Sequence, residues 1–466
     1  MAILKGIPTM NAYKAIPVLL AMVAMSACKS LVVPDLNNPS IEELTGDGAS
    51  RVAVVTAAQG LFVRARQGIG GRAGYVSELG IIGRESYNFD AADPRFVTEL
   101  LRDPLDGGNG AFGGNHWAGR YRGFRDADNV LNAVDALATM DAGDKGGLRG
   151  IAKTLQALDL LLVINTRDDL GAVITVAADP TGDPEPIVAR DAVFTKIVAL
   201  LDEAQGDLTG ATFPSDLRLP SGFDGFDTAA EFITFNRALK ARVDVYMGNY
   251  AAALTSLSAS FLDPAGDMRL GVFYNYGVGS GDQVNNLFDP SELIILAHPS
   301  IETDAQLQTD AVTLLDQRFV DKIVSVASVG DQGGLGLSSD LAFTLYTSAT
   351  AKMTIIRNEE LILLRAEANL QLDNFALASA DLNILRGAAG LANIDLSTMT
   401  ATQRDDELLY NRRYSLLFEG HRWIDMRRYD RLSDLLLDPS LRVHARFPFP
   451  VSECDARDPT PSQGCA

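Results

Sequence analysis

A helical segment of this chain occurs twice, and this repeat constrains the fold more than any other feature. Residues 239–254 read LKARVDVYMGNYAAAL, and residues 364–379 read LRAEANLQLDNFALAS. Each copy has a helix with small residues, a turn that ends in Asn, an aromatic residue and a second, alanine-rich helix. Such a helix pair cannot bury its apolar face alone, so other units must stack against it. The repeat therefore predicts a scaffold of packed helix pairs.

Each copy resembles the tetratricopeptide helix hairpin, in which the aromatic residue wedges between two closely packed helices. Apolar residues at helical spacing predict four further helices, over residues 49–67, 115–140, 144–165 and 189–208. Glycine-rich sequence without a sustained helical period predicts an irregular segment over 68–114, and a short extended run lies at 170–174. We predict a mainly α fold: a tetratricopeptide-like helical-repeat scaffold with long irregular loops and a few short strands.

Residues 259–350 interrupt the repeat. This segment is rich in Gly, Asp and Ser, and it contains the aromatic residues Phe273, Tyr274, Tyr276 and Phe288. Long segments without regular structure inside a compact domain are often functional. We therefore predict a loop-rich insertion within a single helical domain over residues 49–466.

The first 27 residues have the pattern of a lipoprotein signal peptide. Lys5 and Lys14 form a basic start, and the apolar stretch 15–25 is too short to span a bilayer. Ser26 and Ala27 then place small residues directly before Cys28, as lipoprotein signal peptidase requires. We predict a signal peptide over 1–27, lipidation of Cys28, and a lipid anchor and tether over 28–48. The alternative is an ordinary signal peptide that happens to contain a cysteine.

The charge of the chain excludes some partners. It carries 40 Lys and Arg residues against 60 Asp and Glu residues, a net charge of −20. An acidic surface repels polyanions, so we expect no nucleic acid and no anionic lipid as partners.

The two remaining cysteines lie close together near the C-terminus. Cys454 and Cys465 enclose the loop DARDPTPSQG. An oxidising envelope compartment favours a disulfide between them over two free thiols. Two thiols are too few ligands for a metal ion, and the four histidines are scattered along the chain. We therefore expect neither a metal nor a cofactor.

The C-terminal region carries the most specific motifs. Residues 357–428 hold the second helix pair and, after a spacer, the cluster FEGHRWIDMRR, and residues 447–453 read FPFPVSE. These motifs resemble the C-terminal half of the SusD/RagB family of nutrient-binding outer-membrane lipoproteins. Asn411 and Ser415 stand where that family usually has acids, which reduces the charge network expected there. The order of the preceding segments matches too, so the resemblance covers most of the mature chain.

The resemblance implies a binding protein and not an enzyme. Such a protein would be lipid-anchored in the cell outer membrane, facing the exterior, and would deliver a glycan or peptide to a SusC-like TonB-dependent β-barrel transporter. Two alternatives stay open: a surface polysaccharide hydrolase, and a tetratricopeptide-type scaffold that only binds proteins. The sequence has no dinucleotide-binding motif, no P-loop and no serine nucleophile elbow.

The cluster FEGHRWIDMRR also has a possible catalytic interpretation. Glu419, Arg422 and Asp425 are spaced three apart, which predicts one shared helix face. Two carboxylates and an arginine could perform acid–base chemistry. We interpret them instead as a structural ion-pair network, with Phe418 and Trp423 in the core.

We predict that loops, and not the repeat helices, hold the ligand. The segment 83–90, GRESYNFD, combines a guanidinium, an amide, carboxylates and two aromatic rings, which suits a sugar or a peptide. The candidate contacts are Arg84, Tyr87, Asn88 and Phe89, with Tyr274 and Tyr276 from the insertion. In the resembling family, ligand contacts often follow the first helix, and insertions often complete the site. The alternative is that Tyr87 and Phe89 only pack this loop onto the scaffold.

Overall fold

The structure is a computed structural model that describes residues 44, 49–177, 182–288, 292–311, 313–331 and 333–465. The predicted signal peptide, Cys28 and all of the tether except Leu44 lie outside these residues. Across the described ranges, no helix is both long enough and apolar enough to cross a membrane.

Helices form the scaffold. In chain order they are α1 (Arg51–Ala65), α2 (Tyr75–Ile82), α3 (Arg95–Val97), α4 (Ala118–Ala136), α5 (Ala142–Arg167), α6 (Arg190–Leu208), α7 (Ala229–Tyr246), α8 (Tyr250–Ser258), α9 (Ser300–Thr303), α10 (Gln317–Lys322), α11 (Asn358–Gln371), α12 (Phe375–Ala388), α13 (Ala401–Ser415), α14 (Arg422–Arg428) and α15 (Val451–Asp455). One hydrophobic core runs from α1 to the C-terminal segment, and a smaller cluster lies between α11, α12 and α13.

The strands are short, and every strand pair among the described residues is antiparallel. In chain order they are β1 (Ser86–Asn88), β2 (Ala172–Val173), β3 (Ile187–Val188), β4 (Gly271–Tyr274), β5 (Ile295–Ala297), β6 (Ile323–Gly330), β7 (Ser338–Phe343) and β8 (Met353–Arg357). Four of them form a sheet in the order β1-β5-β7-β6, while β2 pairs with β3 and β4 with β8. The mainly α fold with a few short strands is confirmed.

The two repeated helix pairs have the same turn geometry. They are α7 with α8 and α11 with α12, and each turn contains one residue in the left-handed region, Gly248 at φ 76° and Asp373 at φ 59°. The following residue then donates its N–H back into the first helix, from Asn249 to Asp244 and from Asn374 to Asn369, at 2.8 Å in both copies. Asp tolerates this region better than most side chains, so it can replace glycine. The predicted repeat is confirmed in the backbone.

Local capping determines where several helices begin. The hydroxyl of Ser50 accepts a hydrogen bond from the N–H of Ala53 at the start of α1, at 3.2 Å. Thr400 and Gln403 form a reciprocal capping box at the start of α13. Each such bond satisfies an N–H group that has no partner inside the helix.

The prediction of an irregular segment over 68–114 is wrong at α2. All eight residues of α2, YVSELGII, are buried. A helix that is buried on every side has no polar face, so its sequence shows no helical period. The insertion over 259–350 also holds more regular structure than predicted. Its strand β5 pairs with the distant strands β1 and β7, and such long-range pairing leaves little local pattern.

The C-terminal cluster is divided between a turn and a helix. Because α14 begins only at Arg422, Glu419 lies in the preceding turn, and the prediction of one shared helix face is wrong. Glu419 pairs with Arg357 at 2.7 Å, while Asp425 pairs with Arg412 at 2.7 Å. The first ion pair joins this turn to the end of β8, and the second, which is buried, joins α14 to α13.

The C-terminal segment packs against the scaffold. The Sγ atoms of Cys454 and Cys465 are 2.04 Å apart, in a disulfide. The N–H of Phe449 donates to the carbonyl of Gly464 at 2.8 Å, which folds the chain end back on itself.

A buried ion pair between the two hairpins generates a stability prediction. Arg242 of α7 binds both carboxylate oxygens of Glu360 of α11 at 2.6 Å, and the two side chains are 7% and 0% exposed. Arg242→Ala leaves a buried carboxylate without its cation, so we expect the free energy of unfolding to fall by about 3–5 kcal/mol. Urea denaturation followed by circular dichroism measures this loss.

Two further variants test the cause. The double variant Arg242→Met with Glu360→Leu should recover much of the loss, because it removes both buried charges together. Arg431→Ala, which breaks ion pairs to the exposed Asp406 and Asp434, should cost about 1 kcal/mol or less. Equal losses in Arg242→Ala and Arg431→Ala would contradict the assignment.

Candidate functional site

The insertion and the C-terminal turn enclose a cleft, which we name the insertion cleft, with a volume of about 330 Å³. Its lining comprises Arg72, Asn286, Leu287, Phe288, Glu292, Leu293, Ile294, Ile295, Phe343, Thr344, Tyr346, Thr347 and Phe418. Ligand pockets typically combine apolar and aromatic walls with a few polar groups, and this lining has that composition.

Phe418 is the floor of the insertion cleft. It lies in the turn after α13 and has φ 58°, a backbone conformation that a bulky side chain rarely adopts. Its N–H donates to the carboxyl of Glu85 at 3.3 Å, and its carbonyl accepts from the hydroxyl of Tyr346 at 3.3 Å. A Cβ at Gly80 would lie 2.9 Å from its ring, so only glycine fits there. Strained backbone of this kind is concentrated at functional sites.

Aromatic rings line the cleft above this floor. The ring of Phe343 stacks on that of Phe418, with centroids 4.4 Å apart and planes 10° apart. Phe288, Phe343 and Tyr346 are only half-buried, so parts of them face solvent. Aromatic faces of this kind can pack against the apolar face of a sugar ring or a peptide side chain.

The rim of the cleft carries an ion triad. Arg72 lies 3.1 Å from the carboxylate of Asp90 and 3.2 Å from that of Glu292. The three side chains are 31%, 16% and 58% exposed, so Glu292 is the most accessible of them. The triad connects the loop after α1 to the insertion.

Burial controls the electrostatics beneath the floor. Glu85 is 1% exposed, and burial raises the pKa of its carboxyl to about 8, although the N–H of Phe418 and the charge of Arg422 oppose this. Burial also raises the pKa of Tyr346 well above its ordinary value, and the charge of Glu419 adds to this. Glu85 is therefore largely protonated near neutral pH. In the part of the chain that the structure describes, no group of three or more His, Cys, Asp or Glu side chains could hold a metal ion.

The four predicted contacts from the first loop lie behind the cleft. Arg84, Tyr87, Asn88 and Phe89 are 2%, 4%, 1% and 4% exposed. Arg84 donates to the carbonyls of Leu435 and Arg442, at 3.1 and 2.6 Å, and burial lowers its pKa to about 10. The other three residues belong to β1 or directly follow it.

Strand β1 nevertheless supports the cleft wall. Asn88 pairs with Ile295, and the N–H of Phe89 donates to the carbonyl of Ile294 at 2.8 Å. Both isoleucines line the cleft. The rings of Tyr87 and Phe89 stack on each other at 5.1 Å. Direct contact of these side chains with a ligand stays a prediction.

The two predicted insertion tyrosines are also buried. Tyr274 and Tyr276 are 5% and 6% exposed. The hydroxyl of Tyr276 lies against Gly70, where a Cβ would approach it to 2.6 Å. The carbonyl of Gly70 accepts the N–H of Asn286, a cleft residue, at 3.0 Å. Tyr276 therefore supports the loop that presents Arg72, and its contact with a ligand also stays a prediction.

Sequence reasoning did not select the residues that line the cleft. Phe288 belongs to the insertion aromatics noted in the sequence. Phe418 was assigned to the core, and it does lie there, at 1% exposure, beneath the cleft. Phe343 and Tyr346 lie at the end of β7 and just after it, where the sequence alone shows no motif. Arg72 and Glu292 are 220 residues apart, so only the fold brings them together.

A family comparison bears on the C-terminal region. The model of the SusD family matches residues 339–447. This match covers the second repeated hairpin and the FEGHRWIDMRR cluster, and it confirms the resemblance drawn from the sequence. No curated protein sequence matches the chain.

Solved structures share the fold over most of the chain. A SusD superfamily protein from Bacteroides vulgatus ATCC 8482 is 14% identical, covers 89% of this chain and 99% of its own, and has a TM-score of 0.68. A SusD-like carbohydrate-binding protein from Bacteroides fragilis NCTC 9343 is 12% identical, with 90% and 100% coverage and a TM-score of 0.67. A laminarin-binding SusD-like protein is 19% identical, with 87% and 98% coverage and a TM-score of 0.56. These structures show that the chain has the SusD-like fold.

Glu85 generates a prediction for pH dependence. The folded-state pKa of Glu85, about 8, lies above the unfolded value of about 4.3. Between these two pH values the carboxyl is protonated in the folded protein and ionised in the unfolded one, so the free energy of unfolding falls as pH rises. Relative to Glu85→Gln, the wild type should lose up to about 1.4 kcal/mol of unfolding free energy per pH unit. Urea denaturation at pH 5, 6, 7 and 8 measures the difference.

The comparison isolates one group. Other buried groups, such as Asp159 and His298, titrate in both proteins and cancel in the difference. The matched control is Glu302→Gln, which changes an exposed carboxyl. If the difference between wild type and Glu85→Gln does not vary with pH, the pKa of Glu85 in the folded protein is not raised.

Proposed function

We propose, from the SusD-like fold and the family match of the C-terminal region, that this protein is a cell-surface nutrient-binding lipoprotein. It captures a glycan in the insertion cleft and delivers it to a SusC-like TonB-dependent outer-membrane transporter. The observation that carries this proposal is the aromatic cleft over Phe418. Phe418, Phe343 and Tyr346 lie inside the region that matches the SusD family, and the rest of the aromatic wall comes from the insertion.

The composition of the cleft supports a glycan ligand. Half-buried rings of Phe288, Phe343 and Tyr346 offer apolar faces, and the amide and hydroxyls of Asn286, Thr344 and Thr347 offer hydrogen bonds. Sugar rings need both kinds of contact. Two of the structures with this fold are described as carbohydrate-binding and laminarin-binding proteins.

The same cleft supports binding better than hydrolysis. Glycoside hydrolysis needs a carboxyl with a raised pKa beside the scissile bond. Glu85 has such a pKa, but it lies beneath the backbone of Phe418 and is 1% exposed. The carboxylates of Asp90 and Glu292 both pair with Arg72. A polysaccharide hydrolase is therefore the weaker alternative.

The anchor and the transporter come from the sequence and the family resemblance. Cys28 would carry the lipid, and residues 28–48 would tether the helical domain to the outer membrane, facing the exterior. An acyl chain contributes roughly 0.8 kcal/mol per buried CH₂ group, so several chains hold a protein firmly on a bilayer. The net charge of −20 fits a partner other than nucleic acid.

Replacement of cleft aromatics should weaken glycan binding. Phe288→Ala and Phe343→Ala each remove a ring face, and we expect each to lower glycan affinity by tenfold or more, which is about 1.4 kcal/mol. Phe273→Ala is the matched control, because Phe273 is a half-buried insertion aromatic outside the cleft lining. Isothermal titration with a glycan found by array screening measures affinity, and circular dichroism checks folding. Unchanged affinity in both cleft variants would move the site elsewhere.

Removal of the predicted lipid should release the protein from membranes. Cys28→Ala leaves no thiol for acylation, so we expect the variant in the soluble fraction of cells that lack the transporter. Cys28→Ser gives a second variant with the same expected result. If both variants still fractionate with the outer membrane in such cells, Cys28 is not the anchor.

A further inference from the structure

Among the described residues of the insertion cleft, every charged side chain belongs to the ion triad at the rim. Arg72 and Glu292 are the charged side chains among the described cleft residues, and Asp90 adjoins them through Arg72. Nη1 of the Arg72 guanidinium lies 3.1 Å from the carboxylate of Asp90, and Nη2 lies 3.2 Å from that of Glu292. Each charge of the triad therefore already has a partner of opposite sign.

A charged ligand would break this arrangement. An anionic group that approached Arg72 would meet the carboxylates of Asp90 and Glu292, and it would have to displace one of them. A cationic group would have to compete with the guanidinium for the same carboxylates. Like charges brought together in a partly buried site reject a ligand effectively.

An uncharged hydroxyl does not meet this barrier. It can donate to a carboxylate oxygen and accept from a guanidinium N–H while the ion triad stays intact. The other polar residues of the described lining are neutral: Asn286, Thr344 and Thr347. We infer that the insertion cleft selects neutral glycans and rejects acidic ones, and that the ion triad of Arg72, Asp90 and Glu292 sets this selectivity.

This inference rests on the proposed function and adds the ligand class. The triad has two acids and one base, so its net charge is negative and adds to the repulsion of anions. The net charge of −20 on the chain acts in the same direction, but salt screens it over about 8 Å at physiological ionic strength. Repulsion between charges in contact inside the cleft persists in salt. Measurements at two salt concentrations therefore distinguish the effect of the triad from the effect of the net charge.

The experiment compares neutral and acidic ligands of the same length. Neutral hexose oligosaccharides and hexuronate oligosaccharides are titrated into the full chain by calorimetry, at low salt and at physiological salt. We expect the wild type to bind the best neutral oligosaccharide at least tenfold more tightly than its uronate counterpart at both salt concentrations.

Glu292→Gln tests the triad itself. It removes the most exposed carboxylate of the triad and weakens the repulsion of an anion, so uronate affinity should rise about five- to tenfold. The readout is the ratio of uronate affinity to neutral affinity, because Glu292 lines the cleft and its replacement also changes the contacts of the neutral oligosaccharide. Asp224→Asn is the matched control, because it removes the same charge from an exposed loop residue outside the cleft lining and should change neither affinity.

The outcomes separate the two proposals. A wild type that binds uronates as tightly as neutral oligosaccharides overturns the selectivity but keeps the glycan-binding function. The same holds if Glu292→Gln leaves uronate affinity unchanged, or if Asp224→Asn raises it equally. A folded protein that binds neither class overturns the proposed function and this inference with it.

Discussion

The floor of the cleft depends on a hydrogen bond from a backbone N–H to a buried carboxyl. The N–H of Phe418 donates to the buried carboxyl of Glu85, so a residue of the C-terminal turn is fixed to the loop after α2. Phe418 has φ 58°, which costs energy for a bulky side chain, and such a conformation persists only where surrounding contacts hold it. Here those contacts are Glu85, the hydroxyl of Tyr346 and the ring of Phe343. The floor of the cleft is therefore determined by three segments that are distant in sequence.

The helical repeats give this turn a rigid base. Asp425 and Arg412 join α14 to α13, and Arg242 and Glu360 join the two hairpins, all of them buried. Buried ion pairs add little net stability but are costly to break, so they favour one arrangement of the helices over others. Binding proteins often carry irregular segments on a rigid scaffold, because the scaffold holds in place the loops that contact the ligand.

The sequence predicted the scaffold well but did not indicate the insertion cleft, for physical reasons. The repeats and most helices were predictable because one face of each packs inward, which leaves a period in the sequence. Helix α2 was missed because it is buried all round. The cleft was missed because Arg72, Phe288 and Phe343 become neighbours only through long-range pairing of β1, β5 and β7.

The segment 83–90 shows why composition alone is ambiguous. Aromatic rings with amides and a guanidinium suit a ligand, but they also suit a loop that must be sealed against a core. In the structure, Arg84 uses its donors on backbone carbonyls, and Tyr87 packs on Phe89 and on His298. A ligand-binding loop and a packed loop differ in whether their hydrogen-bond donors already have partners inside the protein. The sequence alone does not show this. In the rim triad the charges also have partners inside the protein. There we infer from the pairing that the cleft accepts a neutral ligand and not a charged one.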